Sequence, residues 1–258
     1  MSTLNDYLQQ HKIKSSHIDI LPMLHSCECF DSRLIIESGQ LETRLCKVFN
    51  KDLLYFFYGK PSYPVGEKVV GNRTDIEYCP VCFIVNPQNV KIYRVFPFDT
   101  GAFSAEKYDD FFHRNMQLGE FELDSSLKAI LTYIAIFFES NDNYIRGQTV
   151  IGIKENNPYI NGLISILNAQ GTHKIDDRAH TVEVISQECV SLKDAVECVI
   201  IPEDLLREDS IKAFLDQYNI RHMEYTVRTL TAPSRYNEVV FEKVMEYLKI
   251  RKGGKISA

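Results

Sequence analysis

The chain carries none of the short motifs that mark the commoner nucleotide and hydrolase folds. There is no G-x-G-x-x-G, no Walker loop, no H-E-x-x-H and no G-x-S-x-G. Doubly wound dinucleotide sheets, P-loop enzymes, zincin proteases and α/β-hydrolases therefore have no support. A long apolar run is missing too. The longest, near Ala129 to Phe138, falls well short of the roughly 20 residues that span a bilayer, so no membrane partner is expected. The opening residues MSTLNDYLQQHKIKSSH show no apolar run behind a basic start. A cytoplasmic location is the expectation that follows. Internal repeats, low-complexity tracts and evident linkers are also lacking.

What is present suits a globular domain. The 258 residues are 45% hydrophobic, enough for a substantial core. The formal charge is -6 with both signs interspersed. No extended basic footprint for nucleic acid exists, although a nucleic acid held by a few local contacts stays open. The tail Arg251-Lys252-Gly253-Gly254-Lys255 is basic but short and reads as a solvated terminus.

Seven cysteines stand at Cys27, Cys29, Cys46, Cys79, Cys82, Cys189 and Cys198. An odd count without a secretory leader argues against a disulfide framework. Cys27 and Cys29 with Cys79 and Cys82 are candidates for a four-thiolate zinc site. The other reading packs them as free thiols, behaving as small hydrophobes.

Periodicity and punctuation give the elements. A short helix is predicted over Thr3 to His11. Ile18 to Leu24 reads as extended, ending at His25, and Phe30 to Ser38 as a helix with Gly39 at its C-cap. Asp52 to Tyr58 is an apolar strand broken by Gly59 and Pro61. Val81 to Val85 and Val90 to Phe96 are expected to pair across Asn86-Pro87-Gln88-Asn89. Ala105 to Met116 looks helical. Ser125 to Glu139 is the clearest amphipathic helix, with Leu127, Ile130, Leu131, Ile134 and Phe138 on one stripe and Asp124 or Ser125 as N-cap. Ile160 to Leu167 forms another helix, followed by strands His180 to Ser186 and Ala195 to Ile201. One or two helices lie within Glu203 to Tyr218. Tyr236 to Ile250 closes the chain as a helix. Strands and helices mix without steady βαβ alternation, which favours an α+β domain.

One carboxylate stands out. Glu183 sits in TVEVI, a run that is otherwise β-branched. Alternation places Thr181, Glu183 and Ile185 on one face of that strand, and His180, Val182 and Val184 on the other. A carboxylate there must be solvated, paired or working, because burying it alone is costly. Arg178 is the obvious partner. The plain alternative is an edge-strand glutamate facing water.

Three segments line up in order: His25 at a strand end, the aromatic strand Leu54-Tyr55-Phe56-Phe57-Tyr58-Gly59, and Arg178 followed by Glu183. This order resembles the ADP-ribosyltransferase superfamily, in particular its bacterial toxin-like members. ILPMLHSCECFDSRLIIESGQL is similar to the family's opening strand and helix. RAHTVEVISQECVSLKDAVECVIIP is similar to its catalytic strand and the strand that follows. The resemblance implies a single domain over 1–258, with a split β-sheet core, a helical insertion at about 103–170 and a C-terminal helix. It implies NAD as substrate and Glu183 as the catalytic group. His25, Tyr58 and Arg178 would contact NAD, with Tyr55 and Lys60 as further candidates. A protein or nucleic acid would accept ADP-ribose, and an antitoxin is a possible partner of such a toxin or anti-phage defence effector. Two departures stand: Cys27 occupies the place of a common Thr or Ser, and Thr181 replaces the extra carboxylate of arginine-specific members.

The chemistry gives these residue types a purpose. Cleavage of the nicotinamide–ribose bond passes through an oxocarbenium-like state that a carboxylate stabilises. Arg178 or Lys60 would help keep that carboxylate ionised. Each residue also has a plainer reading. His25 would be a hydrogen-bonded structural histidine, Tyr55 and Tyr58 core aromatics, Lys60 a solvated turn lysine, and Arg178 the partner of Asp176 or Asp177 in a surface pair. Tyr58, beside Gly59, is the preferred ligand contact, and Tyr55 the preferred core residue. Asp99-Thr100-Gly101 resembles an aspartic-protease loop, but only one such triplet is present. It is read as a turn, with Asp99 capping the following helix. The competing functional class is a non-enzymatic binding or immunity protein on a degenerate version of the same scaffold.

Overall fold

The computed structural model describes residues 3–11, 15, 17–62, 75–152, 155–169, 176–228 and 231–253. Gly254 and Lys255 of the basic tail lie outside them. Helix α1 (Leu4–Gln10) begins at Thr3, whose side chain accepts from the Asp6 N–H in a capping box. Strand β1 (Met23–Glu28) starts later than the extended reading of Ile18 to Leu24 and contains His25 rather than ending at it. Helix α2 (Cys29–Ser38) stops at Gly39, which adopts φ +73°. Short strands β2 (Gln40–Leu41) and β3 (Arg44–Cys46) precede β4 (Lys51–Tyr58). Strand β5 (Pro80–Val85) is buried throughout.

A 3-10 turn at Pro87–Asn89 separates β5 from β6 (Arg94–Phe96). The expected hairpin between them does not form. Strand β5 is flanked by β1 and β9 (Val196–Pro202), and β6 pairs instead with β7 (Glu183–Ser186). Helix α3 (Thr100–Ser104) is five residues long, so the helix expected over Ala105 to Met116 is absent. Glu106 at φ 59° turns the chain away. Helix α4 (Leu127–Phe137) is capped by Ser126, one residue beyond the expected cap. Helices α5 (Asn141–Ile145) and α6 (Pro158–Leu167) follow. After β7 come β8 (Val190–Ser191), α7 (Leu192–Ala195), β9, α8 (Asp209–Gln217), β10 (Arg221–Tyr225) and α9 (Tyr236–Lys252). The architecture is mixed α and β; β1–β5, β5–β9, β2–β8, β3–β4, β4–β7 and β6–β7 pair antiparallel, and β9 with β10 parallel. No described helix is long and apolar enough to cross a membrane.

Two compact units interleave along the sequence. The first comprises Met1–Leu21, Thr43–Val65 and Lys91–Gln187. Its strands run β3, β4, β7, β6, all antiparallel. Beside them an aromatic cluster holds Phe98, Phe103, Phe112 and Phe121, with ring centroids 4.8 Å apart for Phe112 and Phe121 and 5.7 Å for the stacked Phe98 and Phe103. The second unit comprises Pro22–Glu42, Gly66–Val90 and Glu188–Ala258. It holds β1, β5, β9 and β10, with α9 packed on the last three. The buried stripe of α9 is Val240, Val244, Tyr247 and Leu248. Within this unit Arg33 joins α2 to two carboxylates, Glu208 at 2.6 Å and Glu77 at 2.5 Å.

Candidate active site

Glu183 opens β7, directly after a 3-10 turn at Asp177–His180. Thr181 and Val182 therefore precede the strand rather than belong to it. Phe57 of β4 lies opposite Glu183 on one side and Phe96 of β6 on the other. The edge-strand reading is thus corrected: β7 is an inner strand of its unit, and Glu183 is 3% exposed.

Its partner comes from the loop after β6. Asp99 caps α3, accepting from the Ala102 N–H at 2.5 Å, in accord with the capping role read from the sequence. That cap aims Thr100 at Glu183. Thr100 Oγ1 donates to Oε1 at 2.7 Å, and the Thr100 N–H donates to Oε2 at 3.3 Å. Burial pushes the Glu183 carboxyl well above the usual carboxylate range, and the neighbouring Asp99 adds to it, while the two Thr100 bonds pull the other way. A carboxyl so placed favours its neutral form.

Arg178 does not reach Glu183 to ionise it. Its guanidinium is forked onto Asp176, Nε to Oδ1 at 2.9 Å and Nη2 to Oδ2 at 2.7 Å. The surface pair anticipated with Asp176 is in fact a buried one, since Arg178 is 8% exposed. Arg178 still shapes the site through its backbone, whose carbonyl accepts from the Asp99 N–H at 3.1 Å. Tyr108 belongs to the same surroundings. It is 2% exposed, its hydroxyl has no hydrogen-bond partner among the described residues, and burial raises its pKa with Asp99, Asp176 and Glu183 adding.

The two tyrosines of β4 exchange their expected places. Tyr58 is fully buried, its hydroxyl accepting from the Leu21 N–H at 2.9 Å. Tyr144 donates its hydroxyl proton to the Tyr58 carbonyl at 2.7 Å and accepts from the Val182 N–H at 3.0 Å. That single hydroxyl ties the end of β4 to the start of β7. Tyr55 is half-buried and shares a sheet face with Phe57, Glu183 and Ile185, because directly opposed residues lie on one side. The Tyr55 hydroxyl donates to Cys46 Sγ at 2.7 Å. On this face, too, Arg94 lies opposite Ile185, pairs with Glu122 and stacks on Phe49, 4.5 Å from its ring centroid.

Lys60 is not the solvated turn lysine that GKPS implied. It is 2% exposed, with Nζ 5.5 Å from the Tyr144 ring centroid. Burial lowers its pKa to about 8, against the pull of Asp177. His180 nearby is also lowered, first by burial, and its Nε2 donates to the Ile166 carbonyl at 3.0 Å. His25 belongs to the second unit. It is half-buried on β1 opposite Phe83, with ring centroids 6.5 Å apart.

All seven cysteines are free thiols. Among the described residues no three His, Cys, Asp or Glu side chains are placed to hold a metal ion, so the zinc alternative falls. The register explains why: Ser26 opposes Cys82 and Cys27 opposes Val81, which puts Cys27 and Cys82 on opposite sheet faces. The second unit also has a groove of about 500 Å³, lined in part by Cys198, Arg221, His222, Met223 and Tyr247, and none of the six candidate site residues faces it.

The sequence singled out Glu183 but not Thr100, Tyr108 and Cys46 around it, nor Tyr144, which bonds the neighbouring Val182. The Asp99-Thr100-Gly101 triplet was the signal available. No protein-family model matches the chain, and no curated protein matches it.

Proposed function

We propose that the chain is an NAD-consuming ADP-ribosyltransferase of the toxin or defence-effector kind, with its sheet built on that superfamily's split core and Glu183 as the catalytic carboxyl. The observation that carries this reading is Glu183 itself. It is a buried acid with a perturbed pKa on an inner strand, sharing a face with the half-exposed aromatics Tyr55 and Phe57. Tyr55 and Phe57 take over the stacking on nicotinamide first assigned to Tyr58. Arg178, locked on Asp176, acts as a positioning residue for Asp99 and Thr100. The acceptor is a macromolecule.

The raised pKa of Glu183 fits this chemistry through charge coupling. The nicotinamide ring of NAD is cationic, and a cation brought against a carboxyl favours its ionised form. Binding therefore expels the Glu183 proton. The resulting carboxylate then stabilises the oxocarbenium-like sugar as nicotinamide leaves. Calorimetry in two buffers of different ionisation enthalpy reads that proton directly. Incubation of labelled NAD with cell lysate reads transfer. Glu183→Gln should bind without releasing a proton and transfer no label; undiminished transfer by that variant ends the assignment.

One observation favours a second reading. Both Glu183 oxygens are already engaged by Thr100, as a purely structural acid would be. A non-enzymatic binding or immunity protein on the same scaffold would show neither label transfer nor nicotinamide release, and no NAD binding by calorimetry.

A further inference from the structure

The turn that follows β4 carries the ammonium of a buried lysine and a sealed hydroxyl, and no described residue gives either a hydrogen bond. Lys60 is 2% exposed, and no described residue gives its ammonium a hydrogen bond or an ion pair. Tyr144 offers only its ring face, at 5.5 Å, and Asp177 acts on Lys60 from beyond contact. Two residues on, Ser62 is 5% exposed, and its hydroxyl is sealed from solvent without a partner. The backbone leading into both is fixed. Gly59 sits at φ +75°, and a Cβ there would lie 2.5 Å from Leu21 Cδ1. A buried ammonium without a counter-ion is costly, and an unsatisfied sealed hydroxyl adds to that cost. A local fold that keeps both in one turn is explained if something else completes them. Both groups can donate, so their common complement is an anion with several acceptor oxygens.

We propose that the Lys60–Ser62 turn is a binding site for a phosphate-type oxyanion, with Lys60 Nζ and Ser62 Oγ both donating to it. The ligand is either inorganic phosphate or diphosphate, or the diphosphate of a dinucleotide. Only the last case rests on the transferase reading. The site itself does not depend on Glu183.

The full chain is titrated by calorimetry and thermal melting with phosphate, pyrophosphate, acetate and NAD at matched ionic strength. Phosphate or pyrophosphate is expected to raise the melting temperature saturably, with acetate inert. Lys60→Met removes the buried charge without opening a cavity. It should melt higher than wild type in anion-free buffer, which shows that it folds, and should lose the anion-induced shift. Ser62→Ala should weaken binding about tenfold or more, the loss of one hydrogen bond to a charged group. The proposal is overturned if neither phosphate nor pyrophosphate gives a saturable shift, if acetate equals them, or if Lys60→Met keeps wild-type affinity. Pyrophosphate binding without NAD binding supports the anion site and removes the transferase reading.

Discussion

Replacement of Glu183 by glutamine tests the electrostatics of the site without any assay of function. The carboxyl is 3% exposed, and burial together with Asp99 raises its pKa well above 4.5. In the unfolded chain it titrates as an ordinary glutamate. Between those two values the folded protein holds a proton that the unfolded chain has lost. Stability from this group is therefore complete below the unfolded pKa and declines as pH rises through the folded one. Inside that window the slope is about 1.4 kcal/mol per pH unit. For a chain of this length that amounts to roughly 3–6 °C of melting temperature per unit.

Glutamine cannot lose a proton, so the slope from this group vanishes in Glu183→Gln. Its amide also sets N–H groups toward the Thr100 N–H, which costs about 1–3 kcal/mol at every pH. Wild type should be the more stable protein near pH 5. The difference should shrink or invert as pH rises toward 8, because all other titrations are common to both and cancel. Melts of the two proteins across pH 5–8 measure this. Parallel curves with a constant offset would refute the raised pKa and the neutral carboxyl that follows from it.

Asp176→Asn removes the carboxylate forked onto the buried Arg178 guanidinium and leaves Asp99 as its more distant countercharge, so a loss of about 3 kcal/mol is expected in urea denaturation. Tyr144→Phe removes the hydroxyl that bonds the Val182 N–H and the Tyr58 carbonyl. It should cost about 1–3 kcal/mol and speed amide hydrogen exchange at Val182. Lys60 titrates near 8 in the fold against 10.5 unfolded, so the folded state holds fewer protons between those values. The penalty is full below pH 8 and is relieved toward 10.5. Lys60→Met should gain about 3 kcal/mol near pH 7, and this gain should fade in alkaline melts.

Local signals in the sequence located most elements. The short helix read over Thr3 to His11 is α1, Gly39 ended α2, and the apolar spacing from Leu127 to Phe138 marked α4. Pairing was not legible in the same way. VCFIV and VKIYRVF both read as strands, and their short connection invited a hairpin. Asn86 caps a 3-10 turn through Pro87 instead, and β5 already has neighbours on both edges. Ala105 to Met116 misled for a related reason. Tyr108 and Phe112 have helical spacing, yet they are buried by Phe98 and Phe121, which are distant in sequence from one or both of them. Strand β10 escaped notice because Arg221, His222 and Glu224 are exposed and break the alternation that a half-buried strand displays.

The site shows the same division more sharply. A carboxylate within TVEVI announces that a partner is needed, because burial without one is costly. It says nothing about who supplies that partner. Arg178, five positions away, was the economical guess, but its guanidinium turns back onto Asp176. The group that meets Glu183 is Thr100, 83 residues distant, delivered by the Asp99 cap at the head of α3 and held by the aromatic cluster beneath it. Exchanging a cation for a hydroxyl changes the chemistry. A paired cation would have held the Glu183 pKa down, whereas burial with only a neutral donor beside it leaves that pKa raised. Under the proposed function a cationic ligand on the Tyr55–Phe57 face switches the group on, which makes proton release on binding a sharper test of that proposal than the identity of Glu183 alone.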